Sequence, residues 1–222
     1  MKKPGKYVLA GIIMLLATSF STAQSADYES RMATLIAQSD TAVSVAGRRQ
    51  LAQAFAQVAA EAKNQWLPYY YAAYSLTRAA VDETVLRNID PFTEQATVWL
   101  DEAEHLRADP SELAVVRAMI LYARIPVHFA MRAVSNLERA QELLAEARKQ
   151  NPDNPRIYVL MGQRAYRAPV GFGGSKKEAL AYFEKALAIF EKQAPKAGQV
   201  HWGRTTALQM AQSCRQQLAR SE

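Results

Sequence analysis

"NPDNPRIYVLMGQRAYRAPVGFGGSKKEALAYFEKALAIF", Asn151 to Phe190, reads as two helices and the turn between them. Asn154 is a capping residue directly before Pro155, and proline suits the first helical position, so a helix starts there. Pro169 ends it, and Gly171, Gly173 and Gly174 supply turn conformations. Ser175 and Glu178 then form an S-x-x-E capping box for a second helix. Ala179, Tyr182, Phe183 and Ala186 follow at offsets of 0, 3, 4 and 7, which puts all four on one face of that helix.

The glycine turn next to Lys176 and Lys177 invites comparison with a phosphate-binding loop. Such a loop needs a strand before it and the spacing G-x-x-x-x-G-K-[ST], so that backbone amides wrap the phosphates while lysine reaches over them. Here the glycines follow a helix at a different spacing, and a turn explains them better. The remaining anion-binding expectation is a weak site at the second helix start, made by Ser175 and Lys176.

The face pattern of the second helix recurs along the chain. Ala52-Phe55-Ala56-Ala59, Ala96-Trp99-Leu100-Ala103 and Ala140-Leu143-Leu144-Ala147 repeat it, and successive first alanines are 44, 44 and 39 residues apart. Prolines 68, 110, 152 and 195 keep a second, independent period of 42, 42 and 43. Two markers at one period predict stacked antiparallel helical hairpins, none of which can bury its apolar face alone. Asp109-Pro110, Asp90-Pro91 and the Ser135/Glu138 box predict further helix starts. An irregular bundle sharing only alanine patterning is the other all-α reading.

The quoted unit resembles the tetratricopeptide family. Tyr158, Met161 and Gly162 stand where that family's first helix carries Trp, Leu and Gly, and Ala179, Phe183 and Ala186 stand on its second-helix signature. The family period is about 34 residues, so the likeness is to a long, divergent form covering about residues 45–195. The resemblance implies that first helices line a concave groove for an extended peptide or a partner helix. Carried over, Gln163, Tyr166 and Arg167 look into the groove, Arg117 and Arg124 add a basic strip, and an acidic or carboxylate-terminated partner is expected.

Outside the repeats, the N-terminus predicts export. Lys2, Lys3 and Lys6 precede an apolar run from Val8 to Ala17, and Ser21-Thr22-Ala23 offers a cleavage site. The run is short of the roughly 20 residues of a spanning helix, although an uncleaved anchor is the alternative. The expected organisation is a signal peptide at 1–23, a lead-in at 24–44, repeats at 45–195 and a capping helix at 196–222. Without the three leader lysines the formal charge drops from +6 to +3, with charges interleaved. No basic stripe for nucleic acid follows from this.

Catalytic and metal-binding patterns are weak. His105, His128 and His201 have no partner at ligand spacing, so no metal site is expected. Cys214 is the single cysteine, which excludes an internal disulfide and reads as a buried thiol. Acidic clusters such as Asp101-Glu102-Glu104 read as helix surface. No cofactor is expected.

The remaining unusual stretch is "NQWLPYYYAAYSLTR", Asn64 to Arg78, with four tyrosines and a tryptophan. They cover more than one helical face, so they are either a thick repeat interface or a groove wall in which Tyr70 and Tyr74 meet a partner. The sequence therefore predicts an exported, all-α, non-enzymatic module that binds a protein or peptide. A periplasmic small-ligand accessory protein is the alternative, and an enzyme ranks below both.

Overall fold

The computed structural model describes residues 26–193 and 199–220. The expected leader at 1–23 lies outside the described residues. Among the described residues all regular structure is helical: α1 (26–41), α2 (Val45–Ala62), α3 (Trp66–Asp82), α4 (Leu86–His105), α5 (Pro110–Ala123), α6 (Phe129–Gln150), α7 (Pro155–Arg167), α8 (Lys176–Lys192) and α9 (Arg204–Ala219). A short 3-10 turn, Val170–Phe172, lies between α7 and α8.

The fold is a stack of antiparallel hairpins. α3 packs on α4, α5 on α6 and α7 on α8, and the hairpins join mainly through α3 against α5 and α5 against α7. α9 leans on α8 and α7 as the first helix of a further pair would. The lead-in is itself helical: Met32 of α1 is buried in the main core, and Arg31 pairs with Glu61 of α2.

The alanine pattern explains the spacing between helices. Ala96, Leu100 and Ala103, then Ala140, Leu144 and Ala147, then Ala179, Phe183 and Ala186 are all buried at offsets 0, 4 and 7. Small residues at both ends of each motif let a neighbouring helix come close, and the central large residue fills the gap. In α2 the large buried residue is Phe55, at offset 3, where it stacks on Tyr71 with ring centroids 5.1 Å apart. Gly162 gives the same kind of closeness in α7, since a Cβ there would sit 2.7 Å from the Phe183 ring.

Helix starts at Asp109, Asn154 and Ser175 form as the sequence predicts, with side-chain oxygens accepting from the amides of Ser111, Arg156 and Glu178. Two expected starts move. α4 begins at Leu86, before Asp90-Pro91, where the Glu83 carboxylate fixes the approach by accepting from the Thr84 and Val85 amides and from the Asn88 side chain in the first turn. α6 begins at Phe129, with His128 left-handed at φ 58° as its cap, so Ser135 and Glu138 stand inside the helix.

Candidate functional site

α3 has apolar and aromatic residues on every side, and the structure gives every side a neighbour. α2, α4 and α5 cover three of them. The fourth is covered by residues 200–202, which arrive from the α8–α9 connection and cross the first helices of the hairpins. Trp202 is buried against α3, its ring stacked on Tyr74 at 4.5 Å and its indole N–H donating to the Tyr70 hydroxyl at 2.9 Å. The His201 amide donates to the Tyr71 hydroxyl at 2.8 Å, and the Val200 carbonyl accepts from Arg156. This strap crosses the space in which the repeat resemblance places an open groove, and leaves a cleft of about 600 Å³ beside Trp66, Glu112 and Arg156.

One side of Trp202 is a polar network built on a buried ion pair, in which, among the described residues, only the Arg156 Nε–H lacks a partner. Tyr70 donates to Glu112 Oε2 at 3.0 Å, and Arg156 Nη1 donates to Glu112 Oε1 at 2.9 Å. Glu112 and Arg156 are both buried, and the Arg156 guanidinium also lies 5.6 Å from the Trp202 ring. α3, α5, α7 and the strap thus meet at one ion pair. Burial pushes the Glu112 carboxyl above the usual carboxylate range against the pull of Arg156, and burial, then Glu112, holds Tyr70 as the neutral phenol.

The other side of Trp202 is a cleft of about 270 Å³ between the α1–α2 connection, α3 and the start of α9. Ala42, Val43, Leu51 and Tyr74 form its apolar and aromatic wall, while Arg48, Arg78 and Arg204 bring three positive charges against the single acid Asp40. Arg48 is committed: it pairs with Asp82 and donates to the carbonyls of Ala42 and Arg78. Burial, reinforced by the charge of Arg78, lowers it to about 10. Arg78 and Arg204 form no salt bridge among the described residues. Arg78 reaches only the Tyr74 hydroxyl, at 3.4 Å. Burial pushes the Asp40 carboxyl up, while nearby His201 pulls it down. The Ser75 hydroxyl lines the cleft, is buried, and has no hydrogen-bond partner. His201 and Tyr74 bring an imidazole and a phenol to the cleft. Among the described residues no group of three His, Cys, Asp or Glu is placed to hold a bare metal ion.

The groove residues read from the sequence are mostly spent on internal contacts. Tyr70 and Tyr74 are buried, Tyr70 in the network and Tyr74 between Trp202 and the cleft. Arg117 bridges to Asp101 and Glu104 of α4 at 3.0 and 2.7 Å. Arg124 pairs with Asp90, as does Arg132, so Arg117 and Arg124 make no free basic strip. Gln163 is half-buried on α7. Tyr166 accepts a hydrogen bond from Gln217 and lies 3.5 Å beneath the Lys176 ammonium. Arg167 is exposed as a residue, yet burial of its guanidinium, then the charge of Arg78 across from α3, pushes it below the usual arginine range.

The Ser175–Lys176 turn is closed by its own backbone. The Gly174 and Ser175 amides donate to the carbonyls of Pro169 and Ala165, the Ser175 hydroxyl caps Glu178, and Lys176 donates to the Tyr166 carbonyl. A Cβ on Gly174 would lie 1.8 Å from the Ala168 carbonyl oxygen. Its glycine thus serves a tight backbone approach, and the Gly174, Ser175 and Glu178 amides are used within the turn. Cys214 is buried in the second core, and burial pushes its thiol up.

Sequence reasoning missed Arg48, Arg78, Ser75 and the strap. Arg48 sits in an alanine-rich helix and Ser75 in a tyrosine-rich one, with no motif around either. The one available signal was "VHWGR", Val200 to Arg204, which places a tryptophan, a glycine and two basic side chains just ahead of a helix.

No protein-family model matches the chain, and no curated protein is significantly similar to it. The tetratricopeptide resemblance therefore rests on the residues quoted for it. Among solved structures, the HusA haemophore from Porphyromonas gingivalis is similar to this chain at 29% identity and a TM-score of 0.72, over 84% of this chain and 94% of that one.

Proposed function

We propose that this protein is an exported, non-catalytic carrier of a small ligand, and that the ligand is haem or a related flat, anionic tetrapyrrole. The observation that carries the reading is the cleft beside Trp202, with aromatic and apolar walls and an excess of arginine, in a chain similar nearly end to end to a haemophore. Its volume is at the small end of ligand pockets. It takes the edge of a macrocycle and leaves the remainder over the Val43 lip, which is 85% exposed.

Other classes have less support. The groove between α3, α5 and α7 that an extended peptide would need is crossed by the strap, which leaves a cleft of about 600 Å³ at its Trp66 end rather than a continuous channel. No helix among the described residues is long and apolar enough to cross a membrane, which accords with a carrier released by a leader peptide. The carboxyls pushed up by burial are Asp40, set in the cleft, and Glu112, held by Arg156 and by a Tyr70 that burial keeps as the neutral phenol.

The test is a titration of the mature chain, starting at Gln24, with haem, followed through the haem absorption band. Saturable one-to-one binding that also raises the unfolding temperature is expected. A titration indistinguishable from haem in buffer would overturn the carrier reading.

A further inference from the structure

From the cleft geometry we infer that the ligand is held by its carboxylates, in a clamp made of Ser75, Arg78, Arg204 and the first amides of α9. The inference rests on the carrier reading and adds which atoms do the recognising.

α9 is a 16-residue helix whose cap is Gly203, with no side chain to take the first amide groups. The first four N–H groups of any helix lack partners within it and carry its positive end. Arg204, Thr205 and Thr206, the residues that open α9, all line the cleft. The N-terminus alone would mean little, since every helix has one. The second observation is Ser75, 3% exposed, lining the same cleft with a hydroxyl that donates to nothing and accepts from nothing. A serine within a helix ordinarily turns its hydroxyl back on the carbonyl four residues earlier, as Thr77 does to Ala73 at 2.8 Å. Ser75 does not, and a buried hydroxyl without a partner is costly.

The charges agree with the donors. Arg48 is neutralised by Asp82, but Arg78 on one wall and Arg204 on the other have no acid among the described residues. The acid that does line the cleft, Asp40, lies by His201. An incoming carboxylate would accept from Ser75 and Arg78 on the α3 side, and from Arg204 and the α9 amides on the other. Arg48 fixes the wall by gripping the Ala42 and Arg78 carbonyls. Charge-assisted bonds of this kind are the strong ones, and planar guanidinium suits a carboxylate.

The experiment compares haem with its dimethyl ester, in which both carboxylates are blocked, on wild type, Arg78→Met and Ser75→Ala. Wild type should hold haem at least about tenfold tighter than the ester, the loss of one charge-assisted bond being worth that much. Each variant should lose about tenfold for haem and leave the ester unchanged, so that the preference collapses. Ser75→Ala removes an unpartnered hydroxyl, so the free protein should keep or raise its unfolding temperature while binding haem less well. That pairing separates recognition from damage even if Arg78→Met folds poorly. Equal, saturable binding of haem and ester by wild type would overturn the clamp and leave the carrier standing. Binding of neither would overturn both.

Discussion

Trp202 separates two polar regions built from the same residue types, and they are organised in opposite ways. Towards α5 and α7, Tyr70 both donates and accepts, and Glu112 receives from Tyr70 and Arg156 on its two oxygens. Towards α2 and α9, Ser75 has no partner and Arg78 has no acid. A buried charge is tolerable only when matched, and the first region is matched in charge, Glu112 against Arg156, although the Arg156 Nε–H has no partner among the described residues and a cleft of about 600 Å³ opens beside the pair. The second is incomplete in a definite sense: it has donors and positive charge to spare. The first reads as the joint that holds the strap, the second as the cleft to which the proposal assigns the ligand.

The largest effect should come from breaking the joint. Glu112→Ala leaves Arg156 buried without its counterion and Tyr70 without its acceptor, and should cost about 3–5 kcal/mol of folding stability. Chemical denaturation with both fluorescence and circular dichroism checks it. Because the strap is held at the same joint, Trp202 fluorescence should shift at lower denaturant in this variant than helicity does. A loss below about 1 kcal/mol would mean that the pair is dispensable and that the two sides of Trp202 do not differ as argued.

A gentler cut removes one bond and keeps the packing. Trp202→Phe retains an aromatic ring against Tyr74 but gives up the indole N–H to Tyr70, and should cost about 1 kcal/mol beyond the lost ring area. Repeating it in a Tyr70→Phe background isolates the bond, since only contacting pairs show a non-additive remainder. An additive result would place the strap's stability in its apolar contacts alone.

How far these regions were legible in the sequence depends on the range of the interaction. Hairpin stacking was legible because the alanine pattern and the proline period are local and repeated, and Asn154, Asp109 and Ser175 cap helices that begin within three residues of them. The sites were not, because they are made by residues far apart in the chain. Glu112 and Arg156 are 44 residues apart, and Trp202 is 132 from Tyr70. Tyr70 and Tyr74 looked equally suited to a groove and to a core, and only the return of residues 200–202 decides between them. Arg117 and Arg124 share a face of α5, which made a strip plausible, yet Asp101, Glu104 and Asp90 of α4 neutralise them across the hairpin.

Acid should affect the joint and the hairpin edges differently. Hydrogen bonding by Arg132, with Arg124 adding to it, holds the Asp90 carboxyl below its usual range. Its stabilisation is therefore complete above the unfolded value of about 4 and is lost as pH falls through the lower folded value. Glu112 runs the other way. Its folded value is raised by burial, so the folded state takes up that proton first, and this contribution grows as pH falls from the folded value towards about 4.3. Unfolding temperature against pH should bend upward and then drop. Asp90→Asn should flatten the final drop, and Glu112→Gln should remove the upward bend. A wild-type curve falling steadily from neutral pH would contradict the assignment for Glu112.

The smallest expected change in stability is at the cleft. Arg78 makes one long hydrogen bond, to Tyr74, and no salt bridge among the described residues, while its charge opposes that of Arg48. Arg78→Met keeps much of the aliphatic stem and removes that repulsion, so folding stability should stay within about 0.5 kcal/mol of wild type. A side chain that costs this little to remove, yet stands as a half-buried charge lining the same cleft as an unpartnered hydroxyl, contributes little to the free fold. A loss of 2 kcal/mol or more would show that Arg78 is already matched within the fold, and would make the cleft a second joint like the one around Glu112.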